Sequence, residues 1–402
     1  MGQAGLWKTS GPVTRENRQK VSIVVTSKHM KILQVGTDFK QGGIQRHILD
    51  LTRYLRTHGH HVTVAGTPDV WGSRDIDPDF LPVSLDKVSN DSSSLAVRLT
   101  HAMKCARELR RFVAQNGFDV VHSHETAPAI VAKMALAWSG IPKVITFHGS
   151  APARTQQFAR VSKYCADRVV SPSHTTLQNL VDYGVDPKKT KMLGLGITPQ
   201  AAPSVQKVES IRSNLKLADT DILCLSLSRL DYQKGIDIMI DVAQQVLAKQ
   251  SNIVFAVGGT GPLEDEVRLL AKQAGITDRF RFLGSISEVP EYLAAADIFI
   301  LTSRWEALPI SIVEAFRAGL PVIATDCGGV KELVDDAVGR LCQVGDVDGL
   351  AAAVLELAGN SDLRAQLSQN AAELSQSDRF DPDHVHGEFE RFYQSLVAKQ
   401  TS

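Results

Sequence analysis

Arg304-Trp305-Glu306-Ala307-Leu308-Pro309-Ile310-Ser311-Ile312-Val313-Glu314-Ala315 sets two carboxylates on either side of a proline. Just before it, Ile298-Phe299-Ile300-Leu301 is a continuous apolar run, the kind buried on both faces of a parallel sheet. Proline is tolerated in the first turn of a helix. The stretch therefore reads as strand, loop and helix, with Glu306 in the loop and Glu314 a turn or two into the helix. A helix N-terminus exposes unpaired N–H groups and the positive end of a dipole, which suits a phosphate. A carboxylate on each side of such an anion site can hold hydroxyls at both ends of a diphosphate-linked ligand. A shared hydrolytic centre fits less well. A retaining glycosidase needs carboxyls about 5 Å apart, whereas eight helical steps rise about 12 Å. Alone, the two acids also fit a solvated loop acid and a surface helix acid.

The pattern around this junction recurs along the chain. Residues 31–36 read as a strand and 37–43 as a loop. Ile44, Ile48, Leu51 and Leu55 then mark one face of a helix. Further strands are expected at 62–64, 119–122, 144–147 and 168–170, with a helix over 95–116 and a loop-like stretch at 67–93. Gly194 to Val205, with two prolines, reads as the linker. A second strand–helix series has strands at 222–227, 253–257, 281–283, 298–301 and 322–325, and a last helix covers 385–397. This alternation implies an α/β chain of two Rossmann-like, doubly wound domains facing a cleft. The expected division is a flexible extension at 1–29, a first Rossmann-like domain at 30–200, a second at 201–380 and a terminal helix at 381–402.

Of 402 residues, 43% are hydrophobic and 22% charged, which allows two domains with real cores. Net charge is zero, so nucleic-acid binding is not indicated. The charge is unevenly placed. Residues 30–200 carry 21 Lys and Arg against 14 Asp and Glu, and residues 1–29 carry five against one, leaving 18 against 29 for the rest. A basic first half suggests that it faces something anionic. The five cysteines show no C-x-x-C spacing, which fits a reducing compartment and no zinc site. No apolar run reaches the roughly 20 residues of a membrane span, and residues 1–29 hold no apolar core of signal-peptide length.

In such folds ligands bind off the carboxyl ends of strands. Gly42-Gly43 lets backbone approach a phosphate at a helix start, or makes a flexible turn. It lacks the G-x-G-x-x-G pattern of a dinucleotide site. His148 ends a strand, where an imidazole can donate to a sugar hydroxyl or leaving phosphate. His122-Ser123-His124-Glu125 ends another; no further Cys/His cluster joins it to suggest metal, so it shapes the loop or lines the acceptor side. Arg229 and Lys234, five residues apart in a post-strand loop, suit a diphosphate. Gly258-Gly259-Thr260-Gly261 and Thr325-Asp326-Cys327-Gly328-Gly329-Val330-Lys331-Glu332 are further strand–glycine–helix junctions, equally explained as tight turns. The D-x-D in Asp75-Ile76-Asp77-Pro78-Asp79 has no strand context and reads as chance. Lys104, Arg107, Arg110 and Arg111 form a basic helix face set against Leu99, Met103, Ala106 and Val113, either solvated or resting on an anionic membrane.

Taken together these junctions resemble glycosyltransferase family 4, of the two-domain GT-B type. The paired-glutamate motif Glu306–Glu314, the Thr-x-x-Gly-Gly-x-x-Glu run at 325–332, Ser-Arg-Leu…Lys-Gly at 228–235, Gly42-Gly43 and Phe147-His148-Gly149 agree in order. The resemblance implies sugar transfer from a UDP-, GDP- or ADP-sugar to a hydroxyl acceptor, with retention and without a required metal or other cofactor. It implies that Glu306 binds donor-sugar hydroxyls, Glu314 the ribose, Arg229 and Lys234 the diphosphate, and Gly42 and Gly43 the same group from the other domain. His148 would touch the donor sugar, and Ala307, Leu308, Pro309 and Ile310 would cradle sugar and phosphate. Residues 30–200 would be the acceptor-side domain and 201–380 the nucleotide-sugar-binding domain, with the last helix crossing back to the first. The acceptor is expected to be a lipid-linked glycan of bacterial surface-polysaccharide or glycolipid assembly. The expected place is the cytoplasm, with peripheral contact at an anionic inner membrane face. A nucleotide-sugar epimerase or a non-catalytic nucleotide-sugar binder fits the same scaffold. Two departures stand out. Ala307 replaces a frequent glycine, and Leu193-Gly194-Leu195-Gly196-Ile197 lacks the usual Asn-Gly.

Overall fold

The computed structural model describes residues 29–40, 42–89 and 92–399; the extension read over 1–29 thus lies outside the described residues except for His29. The first half runs β1 (Lys31–Asp38), α1 (Gly43–Thr57), β2 (His61–Thr67), β3 (Leu81–Pro82), α2 (Asp86–Ser89), α3 (Leu95–Asn116), β4 (Val120–His124), α4 (Thr126–Ala135), β5 (Lys143–Thr146), α5 (Pro152–Cys165), β6 (Arg168–Ser171), α6 (His174–Asp182) and β7 (Thr190–Met192). The second runs α7 (Val205–Asn214), β8 (Ile222–Leu227), α8 (Ile236–Leu247), β9 (Ile253–Gly258), α9 (Glu264–Gln273), β10 (Phe280–Gly284), α10 (Val289–Ala295), β11 (Ile298–Leu301), α11 (Ile310–Arg317), β12 (Val322–Thr325), β13 (Gly339–Cys342), α12 (Val347–Gly359), α13 (Ser361–Leu374) and α14 (Pro382–Ala398).

The strands form two separate parallel sheets, ordered β3-β2-β1-β4-β5-β6-β7 and β10-β9-β8-β11-β12-β13. In both, the order reverses beside the first strand, between β1 and β4 and between β8 and β11. Ligands of doubly wound sheets bind at this reversal. The apolar run that opened the reading shows why the second sheet is covered on both faces. Successive side chains of a strand point to opposite faces. Phe299 and Leu301 enter one core with Leu225, Val254 and Ala324. Ile298 and Ile300 enter the other with Phe255, Met239 and Ile323.

Three readings of local structure change. Residues 67–93 are not all loop, because they hold the short strand β3 and helix α2, and Val83, Leu85 and Val88 of this stretch join the core. The edge strands β7 and β13 are present although their residues are mostly half-exposed and show no apolar run. On α3 the buried stripe is Ala102, Cys105, Ala106, Leu109 and Val113. Leu99 and Met103 are 49% and 42% exposed rather than facing inward. Small Ala and Cys side chains carry the true helical spacing, and the bulkier residues disguise it.

Phe380 packs in the second domain, and α14 then crosses to the first, where Val385, Phe389, Tyr393 and Leu396 join Ile32, Leu51, Val120 and Val144. Beside this seam lie the imidazoles of His47, His122, His124, His148 and His386. Burial, the largest cause for each, lowers all five, His122 and His148 to about 3 and His386 to about 4. They are therefore neutral in the folded protein near pH 7. Unfolding restores the ordinary value of about 6.5, so below it the unfolded chain binds protons that the folded one refuses. Stability is unaffected by these groups above pH 6.5 and is lost as pH falls from there toward 4. Each contributes a slope of up to about 1.4 kcal/mol per pH unit. Urea unfolding from pH 7.5 to 4.5 should show this loss, and a flat profile over that span would contradict neutral burial of the cluster.

Candidate active site

The chemistry gathers where loops from both reversal points meet. After β11, Thr302 and Ser303 begin the turn that carries Glu306. After β8, the 228–235 loop lies against it. Arg304 binds the two together: its backbone N–H donates to the Gln233 carbonyl at 2.7 Å, its guanidinium forks onto Asp237, and it lies 4.1 Å from the Tyr232 ring centre. Gln233 Nε2 donates to the Trp305 carbonyl at 2.9 Å. Gly235 is required at the seam. Its φ is +62°, and a Cβ would stand 2.2 Å from the Thr302 carbonyl oxygen.

Glu306, only 7% exposed, is held at Oε1 by the Lys234 ammonium at 2.5 Å and the Ser303 hydroxyl at 2.7 Å. Arg229 is open to solvent and pairs with Asp231 at 2.9 Å. Asp231 in turn accepts from the Lys234 backbone N–H at 3.2 Å. The loop thus presents two cations beside a carboxylate. Ala307, Leu308 and Pro309 lead into α11, with Pro309 as the residue before its first turn. Ala307 is not among the non-glycine residues with positive φ, so its methyl is accommodated where the related pattern has glycine.

The first domain reaches the same place. Gly43 opens α1 and a Cβ there would lie 3.3 Å from Ile310 Cδ1, so the two helix starts face each other. Gly149, at φ +89°, comes so close that a Cβ would meet the Ala307 nitrogen at 2.6 Å. Glu314, on α11, accepts from Arg46 Nη1 at 2.6 Å across the domain boundary. Burial raises its carboxyl, and Arg46 opposes that shift. Glu332 also crosses, accepting from the backbone N–H groups of His174 and Thr175 at 3.0 and 2.7 Å at the start of α6. The Thr325–Glu332 run therefore serves as an interdomain clasp. The Gly258–Gly261 run is a close-packed turn, with Gly261 against the Leu230 carbonyl. The D-x-D is structural, with Asp77 paired to Arg56 at 3.0 Å.

His148 has a more definite state than its position suggested. Its Nε2 lies 3.0 Å from His124 Nδ1. His124 Nε2 lies 2.8 Å from Gln34 Oε1, Gln34 Nε2 3.3 Å from the Tyr393 hydroxyl, and that hydroxyl 2.6 Å from His122 Nδ1. His122 Nε2 is 2.6 Å from Thr146 Oγ1. An amide oxygen only accepts. Hence His124 Nε2 donates, its Nδ1 accepts, and the neutral His148 donates from Nε2. His148 Nδ1 is left as an acceptor. The sequence reading gives this imidazole a donating role without naming a nitrogen; in this tautomer the nitrogen that donates is Nε2, to His124. His124, Gln34 and Tyr393 were not singled out as a chain, since nothing in their sequence spacing joins them. Arg46 was missed for the same reason. Glu125, half-buried at the end of β4, keeps φ at 78° and accepts from Thr37 at 2.7 Å. A non-glycine residue in that region carries strain of about 1–3 kcal/mol, which is often kept at functional sites.

Among the described residues no group of three or more His, Cys, Asp or Glu is arranged to hold a metal ion, and no helix is long and apolar enough to cross a membrane. All five cysteines are free.

Two family models match in series. One described as Glycosyltransferase Family 4 matches residues 41–201, and one described as Glycosyl transferases group 1 matches residues 207–374. A phosphatidyl-myo-inositol mannosyltransferase of Mycobacterium leprae is 27% identical over 89% of this chain and 94% of its own length. A UDP-Gal:alpha-D-GlcNAc-diphosphoundecaprenol alpha-1,3-galactosyltransferase of Escherichia coli is 25% identical over 65% and 72%. Among solved structures, HepE of Anabaena in complex with UDP-glucose shares the fold at a TM-score of 0.78 and 21% identity, covering 91% of this chain and all of that one. Sucrose-phosphate synthase from Thermosynechococcus elongatus does so at 0.79 and 19%, covering 92% and 100%. Both halves are thus matched in order on two Rossmann-like sheets, the first by the family 4 model and the second by the group 1 model, and the chain is a glycosyltransferase of the two-domain GT-B fold.

Proposed function

We propose that the protein transfers a sugar, with retention and without a metal, from a nucleotide diphosphate sugar to a hydroxyl on a lipid-linked acceptor. The observation that carries this reading is the pairing of Glu306 with Lys234 beside the start of α11, with Glu314 farther along the same helix. In this reading the diphosphate lies between Arg229, Lys234, the α11 N-terminus and the Gly42-Gly43 turn. Glu306 and the backbone of Ala307, Leu308, Pro309 and Ile310 hold the sugar, and Glu314 takes the ribose in place of Arg46.

The chemistry follows from where charge develops. As the sugar–phosphate bond breaks, its electrons pass to the β-phosphate oxygen. Fixed cations and helix N–H groups stabilise that oxygen without solvent reorganisation, a role that a metal fills elsewhere. Neither carboxylate of the motif stands free as a nucleophile: Glu306 is tied to Lys234 and Glu314 to Arg46. This favours attack by the acceptor hydroxyl on the same face, its proton passing to the departing phosphate. His148, accepting at Nδ1, would orient a donor-sugar hydroxyl.

The lipid-linked acceptor has two supports. The similar proteins named above carry phosphatidylinositol or diphosphoundecaprenol in their names. On α3, Leu95, Val97, Leu99 and Met103 are exposed, 42% or more, alongside exposed Lys104, Arg107, Arg110 and Arg111. Apolar anchors mixed with cations suit an anionic membrane surface, and free cysteines suit the cytoplasmic side.

Arg229→Ala and Lys234→Ala should each lower turnover by on the order of 10²-fold or more, with EDTA leaving the wild-type rate largely intact; near-normal rates in both variants would remove the phosphate role. Donor incubated without acceptor should persist, whereas an epimerase would convert it. Tyr393→Phe keeps the ring buried but cuts the polar chain. It should lower kcat about tenfold, the equivalent of one bond of roughly 1.4 kcal/mol, at little-changed donor KM; a pure loss of stability would instead leave kcat per folded molecule intact. Sedimentation with anionic vesicles at low salt should fall when Arg107, Arg110 and Arg111 are changed to Glu. Indifference to lipid charge would remove the membrane part.

A further inference from the structure

A second cationic cleft lies away from the donor loops, between the β6–β7 edge of the first sheet and the last turns of α14. It encloses about 400 Å³, and its charged lining is Arg168, Lys188, Lys191, Arg391 and Lys399, with Glu388 as the one carboxylate. Phe392 and Leu396 supply an apolar floor.

The sequence explains the convergence. Lys191 pairs in register with Val170, and Val170 packs in the core beneath α14. Parallel partners in register face the same side, and strand side chains alternate. Lys191, and Arg168 two residues before Val170, therefore fall on the face covered by α14. On the helix, positions 388, 391, 392, 395, 396 and 399 follow at steps of three and one, which is a single stripe. Such a stripe ordinarily packs wholly on apolar residues. Here the sheet ends at β7, and cations stand at the rim from both sides. Lys188 joins from the short 3-10 turn Pro187–Lys189.

These cations lack protein counter-ions. Among the described residues none of the five lies within salt-bridge distance of a carboxylate. Arg168 donates only to the Asp167 carbonyl, at 2.7 Å. Five positive groups against one negative repel one another unless an anion enters. Their net excess of four matches a ligand with two or more phosphate groups better than a single carboxylate. Arginine forks also suit phosphate oxygens. The position separates this cleft from the donor site. Arg168 and Thr190 are the first residues of β6 and β7, so the cleft lies at the amino ends of the strands. The donor loops follow the carboxyl ends.

We infer that this cleft is a second ligand site, taking a polyanion with at least two phosphate groups, and that its occupant ties the end of α14 to the β6–β7 edge. The phosphate can belong to a free molecule or to a lipid headgroup, and two arms distinguish them. The full chain carrying Arg229→Ala and Lys234→Ala, which silences the donor cations, is titrated with inorganic tripolyphosphate at low salt. The same chain is sedimented with phosphatidylcholine vesicles, with and without phosphatidylinositol bisphosphate. Both are repeated after adding Lys188→Gln, Lys191→Gln and Arg391→Gln, with circular dichroism to confirm the fold and Lys191→Gln alone as a milder variant.

Tripolyphosphate binding should weaken at least about tenfold in the triple variant, since three charge-assisted contacts to phosphate are removed together. Bisphosphate-dependent sedimentation lost in the triple variant, without tripolyphosphate binding, would assign the site to a headgroup. No binding in either arm, or binding that the triple variant leaves unchanged, would overturn the inference.

Discussion

A carboxylate that is 93% out of contact with solvent needs a cation, and at Glu306 that cation is Lys234. An uncompensated buried charge is among the costliest things a fold can contain. The two loops around this pair are built so that neither group can move away. Ser303 donates to the same oxygen, and Thr325 holds the Ser303 carbonyl. Arg304 and Gln233 stitch the β8 and β11 loops to each other. Gly235 allows the crossing. The site is therefore rigid before any ligand arrives. Donors and charges fixed in advance suit a reaction whose hard step is the departure of an anion.

The parts of this arrangement legible in the sequence were those that depend on local chemistry. Ile298-Phe299-Ile300-Leu301 announced a two-sided strand, and β8, β11 and β12 have the bounds expected of them. Pro309 marked the helix entry, and the loops carrying Glu306, Arg229 and Lys234 were placed at strand ends, where the structure has them. What stayed hidden was pairing between distant segments. Nothing in the periodicity of α1 says that Arg46 will meet Glu314, 268 residues on. Likewise Tyr393 reads as a core aromatic of α14, and only the fold shows its hydroxyl between Gln34 and His122. The α3 stripe failed for another reason: apolar bulk was taken as the sign of burial, and there the buried positions are largely alanine and cysteine.

The crossover helix has more than a packing role. Its Phe389 and Tyr393 close the first domain's core, and the Tyr393 hydroxyl accepts from the Gln34 amide, whose oxygen sets the direction of a hydrogen-bond chain ending on His148. Because each link in such a chain fixes the next, the proton on His148 is decided at the Gln34 amide of β1, which α14 steadies through Tyr393.

The Arg46–Glu314 bridge bears on the ribose site of the proposed reading. Its guanidinium occupies the carboxylate that the proposed reading gives to a ribose, and its other nitrogen donates to the Thr198 carbonyl. An incoming nucleotide must trade hydroxyls for an ion pair, so affinity for the nucleoside portion is the difference between two substantial interactions and not the whole of one. On that reading, reversal of the trade after transfer would return the guanidinium to its carboxylate and help expel the spent nucleotide. In that sense the resting contact works as a built-in competitor, one that limits retention of product as much as it delays entry of substrate.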